Sequence, residues 1–119
     1  MTSHIVQITD RAEHDQVVEA SKQTPTVIYV SNSSLPVCRE HSPKYEELAK
    51  GKLGSGVRFA QMEFNTDTSM LFKFAPNQLP VTVLMVRDAW CKTVMGPDMR
   101  GLEEALEMLV QEAKKGGGL

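Results

Sequence analysis

Leu35-Pro36-Val37-Cys38 is the stretch that decides the fold, because it joins a predicted strand to a predicted helix. Upstream of it, residues 26–30 form an apolar run that leads into the polar cluster Ser31-Asn32-Ser33-Ser34. Downstream, a helical segment begins near Pro36, and Ser34 is its predicted N-cap. Cys38 is therefore expected in the first turn of a helix that follows directly after a strand.

The composition is that of one compact domain. The chain has 119 residues, of which 41% are hydrophobic and 24% are charged, which suffices to bury a core without disulfides or metals. A net charge of -2 and scattered basic residues argue against a nucleic-acid partner and against an anionic membrane surface. No apolar stretch approaches the roughly 18 residues that a membrane span needs.

The cysteine content and the first residues favour a reducing compartment. Residues 1–4 lack the basic and apolar regions of a secretion signal. Cys38 and Cys91 are too few for a disulfide scaffold, so we expect a cytoplasmic protein. The chain has no His and Cys cluster at zinc spacing and no Gly-rich phosphate loop, so we predict no metal site and no cofactor.

Hydrophobic periodicity and turn signals predict alternating strands and helices. Strands are predicted over residues 4–9, 26–30, 57–64, 81–86 and 90–95, and helices over residues 11–21, 36–50, 66–74 and 102–113. Asp10 is the predicted N-cap of the first helix, and Glu13 closes a capping box. The second strand is expected to be covered on both faces, as parallel strands are. A short hairpin at residues 87–89 makes the last strand an antiparallel edge.

The last helix is predicted to bury a single face. Its apolar residues recur at the i, i+3, i+4 and i+7 spacing of an amphipathic helix and are Leu102, Ala105, Leu106, Leu109, Val110 and Ala113. The glycines that follow Lys115 end this helix, so we expect one domain over residues 1–115 and a flexible tail over residues 116–119.

This order of elements, β-α-β-α-β-α-β-β-α, resembles the thioredoxin family over nearly the whole chain. Ser34-Leu35-Pro36-Val37-Cys38 lies where that family has Trp-Cys-Gly-Pro-Cys, and Pro43 lies where it kinks the following helix. Leu79-Pro80 lies where the family places a cis-proline before the fourth strand, and Gly96 matches its glycine after the last strand. The resemblance implies the thioredoxin fold, an α/β fold with a mixed central sheet flanked by helices.

The same resemblance implies an atypical active site. In the family the first cysteine is the attacking thiolate, and the second, which is more buried, resolves the mixed disulfide. Leu35 occupies the attacking position, Ser34 replaces the tryptophan, and Tyr29 replaces the buried acid that assists proton transfer. Only the second sulfur remains, as Cys38. We therefore expect no ordinary dithiol disulfide reductase activity.

Cys91 is not expected to replace the missing thiol, and the role of Cys38 stays open. At roughly 3.3 Å per residue, Cys91 lies about 15 Å from the motif, whereas a disulfide needs Cα atoms within about 7 Å. Cys38 is either a packed, inert sulfur or a thiolate that is favoured by the helix start and by nearby Arg39 and His41. His41 itself is expected to be a solvated helix residue.

The candidate binding surface consists of Ser34, Leu35, Pro36, Val37, Leu79 and Pro80. We expect a small apolar patch that suits a protein or peptide partner, with backbone groups at Pro80 pairing with a partner strand. Phosducin-like proteins, whose thioredoxin-fold domains have an Ile-Pro-Leu-Cys-type motif, resemble this arrangement and imply a binding or chaperone-type module. The alternative is a one-cysteine redox protein in which Cys38 forms mixed disulfides with glutathione or a protein. The chain is expected to be a monomer or a weak dimer through the same patch.

Overall fold

The computed structural model describes residues 5–51, 56–65, 78–87 and 89–117, with the backbone alone at residues 89–91 and 113–117. The elements are β1 (Ile5–Ile8), α1 (Arg11–Ala20), β2 (Thr26–Ser31), α2 (Pro36–Gly51), β3 (Arg58–Glu63), β4 (Val81–Val86), β5 (Ala89–Met95) and α3 (Met99–Gly117). Each one confirms a predicted element. The helix predicted over residues 66–74 lies outside the described residues, and no described helix is long and apolar enough to cross a membrane.

The five strands form one mixed sheet in the order β1-β3-β2-β4-β5. Both β1 and β2 pair with β3 in parallel, while β4 is antiparallel to β2 and β5 is antiparallel to β4. Every residue of β2 is buried, as expected for a central strand covered on both faces. The arrangement confirms the α/β thioredoxin fold.

Helices pack on both faces of this sheet. On one face, α2 and α3 cover a core that includes Tyr29, Tyr45, Phe59 and Leu84. The predicted face of α3 is buried there through Leu102, Ala105, Leu106 and Leu109, whereas Val110 is only half-buried. On the other face, α1 contributes Val17 to a second apolar cluster that contains Cys38 and Leu79.

The first turn of α1 is capped by side chains, as the sequence predicts, although with a different partner. The carboxylate of Asp10 accepts the backbone N–H of Glu13 at 2.8 Å. The Glu13 carboxylate accepts the backbone N–H of Thr9 at 2.7 Å and also the Thr9 hydroxyl, and these bonds hold the Glu13 pKa below its ordinary value. The capping box therefore closes on Thr9, one residue before the N-cap.

The last two elements differ in detail from the prediction. In the β4–β5 ladder Leu84 pairs with Lys92 and Met85 with Trp90, so residue 91 has no partner and forms a bulge. Gly96, which follows β5, has a φ of 75°, the left-handed region that favours glycine. The helix α3 continues to Gly117, past the predicted end. The division of the chain after residue 115 stays a prediction.

Removing the cap of α1 is expected to destabilise the fold. The substitution Asp10→Ala leaves the Glu13 N–H without its acceptor and should lower the free energy of unfolding by about 1 kcal/mol. Asp15→Ala is the matched control, because its contacts with Arg11 at 3.8 Å and with His14 at 3.1 Å are surface pairs and should contribute less than the cap does. Urea unfolding of both variants measures the difference, and equal losses would contradict the capping role.

Candidate functional site

Asn32 organises the loop between β2 and α2. Its side-chain amide donates to the carbonyl of Phe64 at 3.1 Å, which ties the loop to the end of β3. Its side-chain oxygen accepts the backbone N–H of Ser34 at 2.9 Å, and its own carbonyl accepts the N–H of Leu35 at 3.0 Å. Polar contacts of one residue, through its side chain and its main-chain carbonyl, therefore fix the loop.

A charged clamp on the outer side holds the same loop. The Glu63 carboxylate accepts the backbone N–H and the hydroxyl of Ser33, both at 3.0 Å. The guanidinium of Arg39 donates to the Ser33 carbonyl at 3.2 Å. Ser33 is thus held between the end of β3 and the first turn of α2, and the loop has little freedom to move away from either.

The helix α2 begins differently from the prediction. The Ser34 hydroxyl donates to the Asn32 side chain, so Ser34 supports the loop and is not the N-cap. The carbonyl of Leu35 is instead the first acceptor of the helix, because it receives the N–H groups of Cys38 and Arg39, each at 3.1 Å. Leu35 therefore occupies the N-cap position without a capping side chain, and the Asn32 contacts take over the function of fixing the helix entry.

Cys38 lies in the first turn of α2, as predicted, and is completely buried, with 0% of its surface exposed. Its sulfur accepts the backbone N–H of Asn32 at 3.4 Å. Around it are the apolar side chains of the second core cluster, among them Ile28, Val30 and Leu79. Cys38 is a free thiol that is enclosed by protein atoms.

Tyr29 occupies the position that the resemblance assigns to a buried acid. Its hydroxyl lies 3.2 Å from the Ser42 hydroxyl, which itself donates to the carbonyl of Cys38 at 2.7 Å. Since Ser42 has a single proton and gives it to that carbonyl, Tyr29 must donate to Ser42. Burial raises the pKa of Tyr29 to about 12, so the hydroxyl remains protonated and cannot accept a proton near neutral pH.

His41 is buried, with 3% of its surface exposed, and the expectation of a solvated helix residue is wrong. Its ring lies 5.7 Å from that of Tyr29, which in turn stacks on Tyr45 at 4.3 Å between ring centroids. Burial, assisted by the charge of Lys44, lowers the pKa of His41, while Asp98 opposes the shift. The i, i+3 spacing from Cys38 placed His41 on the inner side of α2, which the sequence reading discounted.

The predicted apolar patch is only partly exposed. The Leu79–Pro80 peptide bond is cis, and both residues are buried, with 3% of Leu79 exposed. Leu35 is half-buried against the cluster that contains Cys38 and Leu79. The apolar side chains at the surface are Pro36 and Val37, the latter 37% exposed. Leu79 thus packs with Leu35 and Cys38 in the interior, and the start of α2 presents the exposed part of the patch.

The remaining predictions concern Cys91 and a metal site. The backbone of residue 91 lies at the bulge of β5, and the side chain of Cys91 is outside the description. Among the described residues no group of His, Cys, Asp or Glu is arranged to hold a metal ion. The sequence reading missed Asn32, Ser42 and Glu63 as site residues, although the Asn-Ser-Ser cluster is a turn signal that pointed to Asn32.

The structure is similar to those of thioredoxins. Spinach chloroplast thioredoxin f, in its long form, has a TM-score of 0.79 and 21% identity over 90% of this chain and 87% of its own. The thioredoxin of Malassezia sympodialis has a TM-score of 0.77 and 18% identity over 92% and 93% of the two chains. A chain from the complex of ferredoxin:thioredoxin reductase with thioredoxin f2 gives 0.78 and 19% over 89% and 94%.

These likenesses establish the fold. No protein-family profile and no curated protein sequence matches the chain. The chain therefore has the thioredoxin fold, and the neighbours' identities of about a fifth leave its activity to be argued from the site.

The two tyrosines of the chain give a direct test of the buried cluster. Tyr45 donates to the carbonyl of Ala60 at 2.7 Å, and burial raises its pKa, as it raises that of Tyr29. The native protein should therefore show no tyrosinate absorbance near pH 10, where the unfolded chain ionises. Because the fold holds these protons more tightly, its stability should fall as the pH rises from about 10 toward 12.

An absorbance titration at the tyrosinate band, run on folded and urea-unfolded protein, measures both effects. The variant Tyr29→Phe leaves Tyr45 as the sole tyrosine and should halve the absorbance change in the unfolded chain. A native transition centred near pH 10 would show that at least one of the rings is accessible to solvent and that the cluster is not buried.

Proposed function

We propose that the protein is a protein-binding module that recognises a polypeptide through the surface around residues 34–37, over Leu79 and Pro80, and does so without a redox cycle. The observation that carries this proposal is the burial of Cys38, whose surface is 0% exposed. Thiol–disulfide exchange requires a thiolate to reach the partner sulfur. A sulfur enclosed below the loop does not meet that requirement.

The missing proton acceptor supports the same function. A dithiol cycle needs a group near the sulfurs that takes up and returns a proton at neutral pH. Tyr29 occupies the relevant place, and its pKa of about 12 keeps its hydroxyl a donor to Ser42. The substitution of the attacking sulfur by Leu35 and the substitution of the acid by Tyr29 therefore remove two separate chemical requirements of a reductase.

The shape and stiffness of the surface favour recognition. Pro36 and Val37 project from the start of α2, and the Asn32 and Glu63 contacts hold the preceding loop in one conformation. A pre-ordered surface loses less conformational entropy on binding than a mobile one. The complex of ferredoxin:thioredoxin reductase with thioredoxin f2 is a case in which a protein of similar fold forms a protein complex.

The alternative function is a one-cysteine redox protein that forms mixed disulfides through Cys38. One observation favours it, because the Cys38 sulfur accepts a backbone N–H from Asn32 and so is positioned by a polar contact as well as by packing. The second partner would be glutathione disulfide or a protein disulfide, in which the Cys38 thiolate attacks one sulfur while the other leaves as a thiolate. This function requires the loop at residues 32–35 to open, which would break the Asn32 contacts with Phe64 and Ser34.

A peptide-library selection against the folded protein tests the binding function. Phage-displayed random peptides should be enriched on the wild type, and Val37→Asp should abolish their binding because it places a charge in the apolar contact. Gln16→Asp, an exposed residue of α1, is the matched control and should retain binding. Cys38→Ser should also retain it. Binding that survives Val37→Asp but is lost with Cys38→Ser or with added reductant would instead support mixed-disulfide capture.

Restoring the first sulfur is expected to restore disulfide formation. Leu35→Cys places a thiol three residues before Cys38, at the spacing of the thioredoxin motif, and diamide should then remove two hydrogens from the protein by forming the 35–38 bond. Gln16→Cys is the control, since its added thiol lies on α1 and should form no bond with Cys38. Intact-mass spectrometry reads the change. A wild-type protein that forms an intramolecular disulfide under the same conditions would contradict the proposed inertness.

A further inference from the structure

The edge strand β5 carries main-chain groups that are free to pair with another strand. In the sheet order, β5 is terminal, and no described strand lies beyond it. The Gly96 N–H donates to the Pro80 carbonyl at 2.8 Å, and Thr82 pairs with Val94 two residues along the ladder. Hydrogen-bonded pairs alternate with non-bonded pairs in an antiparallel ladder, so the main-chain N–H and C=O groups of Val94 point toward β4. The N–H and C=O groups of Thr93 and Met95 therefore point outward.

An exposed groove of mixed polar and apolar character runs beside these groups. It lies between β5 and α3, has Gly101 and Ala105 among its lining residues, and is bordered by Met95 and Met108, which are 47% and 37% exposed. These two methionines and Val37 are the large apolar side chains that are exposed in the described part of the chain. Methionine adapts its shape to a partner surface, so a pair of them beside a free strand edge suits an interface.

The charges of the groove are self-complementary. Lys92 lines it together with Asp98 and Glu104, so that one face of the molecule presents both signs within one groove. An isologous dimer brings the same patch of two copies together, and a patch with both signs can then satisfy itself. A partner surface with charges of one sign would face groove residues of the same sign. The groove therefore favours a second copy of this chain, which carries both signs.

The pairing register follows from the outward groups and from the bulge. Residue 91 interrupts the β5 ladder, and bulges and lysines such as Lys92 prevent pairing along the first half of an edge strand. Only residues 93–95 are then available. An antiparallel pair centred on Val94 sets Thr93 of one copy opposite Met95 of the other, and the reverse, so that all the outward groups bond. The same register sets Lys92 of one copy opposite Gly96 of the other. Asp98 of that second copy follows two residues later in its sequence.

The geometry points to a homodimer in which β5 of two copies pair antiparallel about a two-fold axis at Val94, extending the sheet across both molecules. The methionines at positions 95 and 108 are covered in this assembly, and Lys92 of each copy lies near Asp98 of the other. This interface uses an edge of the sheet that the proposed recognition surface does not include. The short paired segment makes the dimer weak, and it forms at high protein concentration.

Sedimentation velocity from micromolar to millimolar protein tests the dimer. The wild type should shift from monomer to dimer, and Met95→Asp should lower the association constant about tenfold or more, because it places a charge in the apolar contact. Thr93→Pro should do the same by removing one outward N–H. Val37→Asp, which alters the other exposed apolar site, should leave the constant unchanged. A monomer at every concentration, or a dimer indifferent to Met95→Asp and Thr93→Pro, would overturn the inference.

Disulfide trapping tests the register separately from the affinity. In a Cys91→Ser background, Thr93→Cys and Met95→Cys proteins are mixed and oxidised with diamide. Directly opposed residues of a hydrogen-bonded pair have Cα atoms about 5.5 Å apart, within the range of a disulfide. The mixed 93–95 product should exceed the product of either variant alone. Equal amounts of all products, or none, would rule out pairing centred on Val94. Circular dichroism verifies that each variant is folded.

Discussion

The contacts of Asn32 are the constraint on which the rest of the site depends. One residue at the end of β2 donates its backbone N–H to the Cys38 sulfur and its side-chain amide to the Phe64 carbonyl. These bonds join the ends of β2 and β3 to the start of α2. Because the backbone groups of this loop are satisfied within the protein, the loop closes over the thiol, and its outer surface keeps one shape.

The fold was predictable because its signals are local and repeated. The apolar run of β2, the capping residues of α1 and the i, i+3, i+4 pattern of α3 each specify an element from neighbouring residues alone. The β5 bulge and the capping partner of Glu13 were not predictable. Both depend on how strands and loops fit together in three dimensions, and no single residue type marks either of them in the sequence.

The exposure of the residues in the candidate site was mispredicted, and their role in binding stays a prediction. Cys38 and Leu79, which lie far apart in the sequence, pack in one apolar cluster, as the resemblance implies. Whether each side chain contacts solvent depends on tertiary packing. His41 and Pro80 were expected at the surface, and both are buried. A histidine in a charged stretch of helix resembles a surface residue, yet His41 is buried against the ring of Tyr29. Burial disfavours its charged form and so lowers its pKa.

Tyr29, at the position where the resemblance implies an acid, changes the electrostatics of the protein core. A buried carboxylate costs desolvation free energy, and such groups occur mainly where they have a chemical task. Tyr29 instead contributes a ring that stacks on Tyr45 and a hydroxyl that donates to Ser42. Its neutral form needs no counter-charge at physiological pH. Tyr29 therefore offers no proton acceptor near neutral pH, and this supports the recognition function that we propose over a reaction that must move protons.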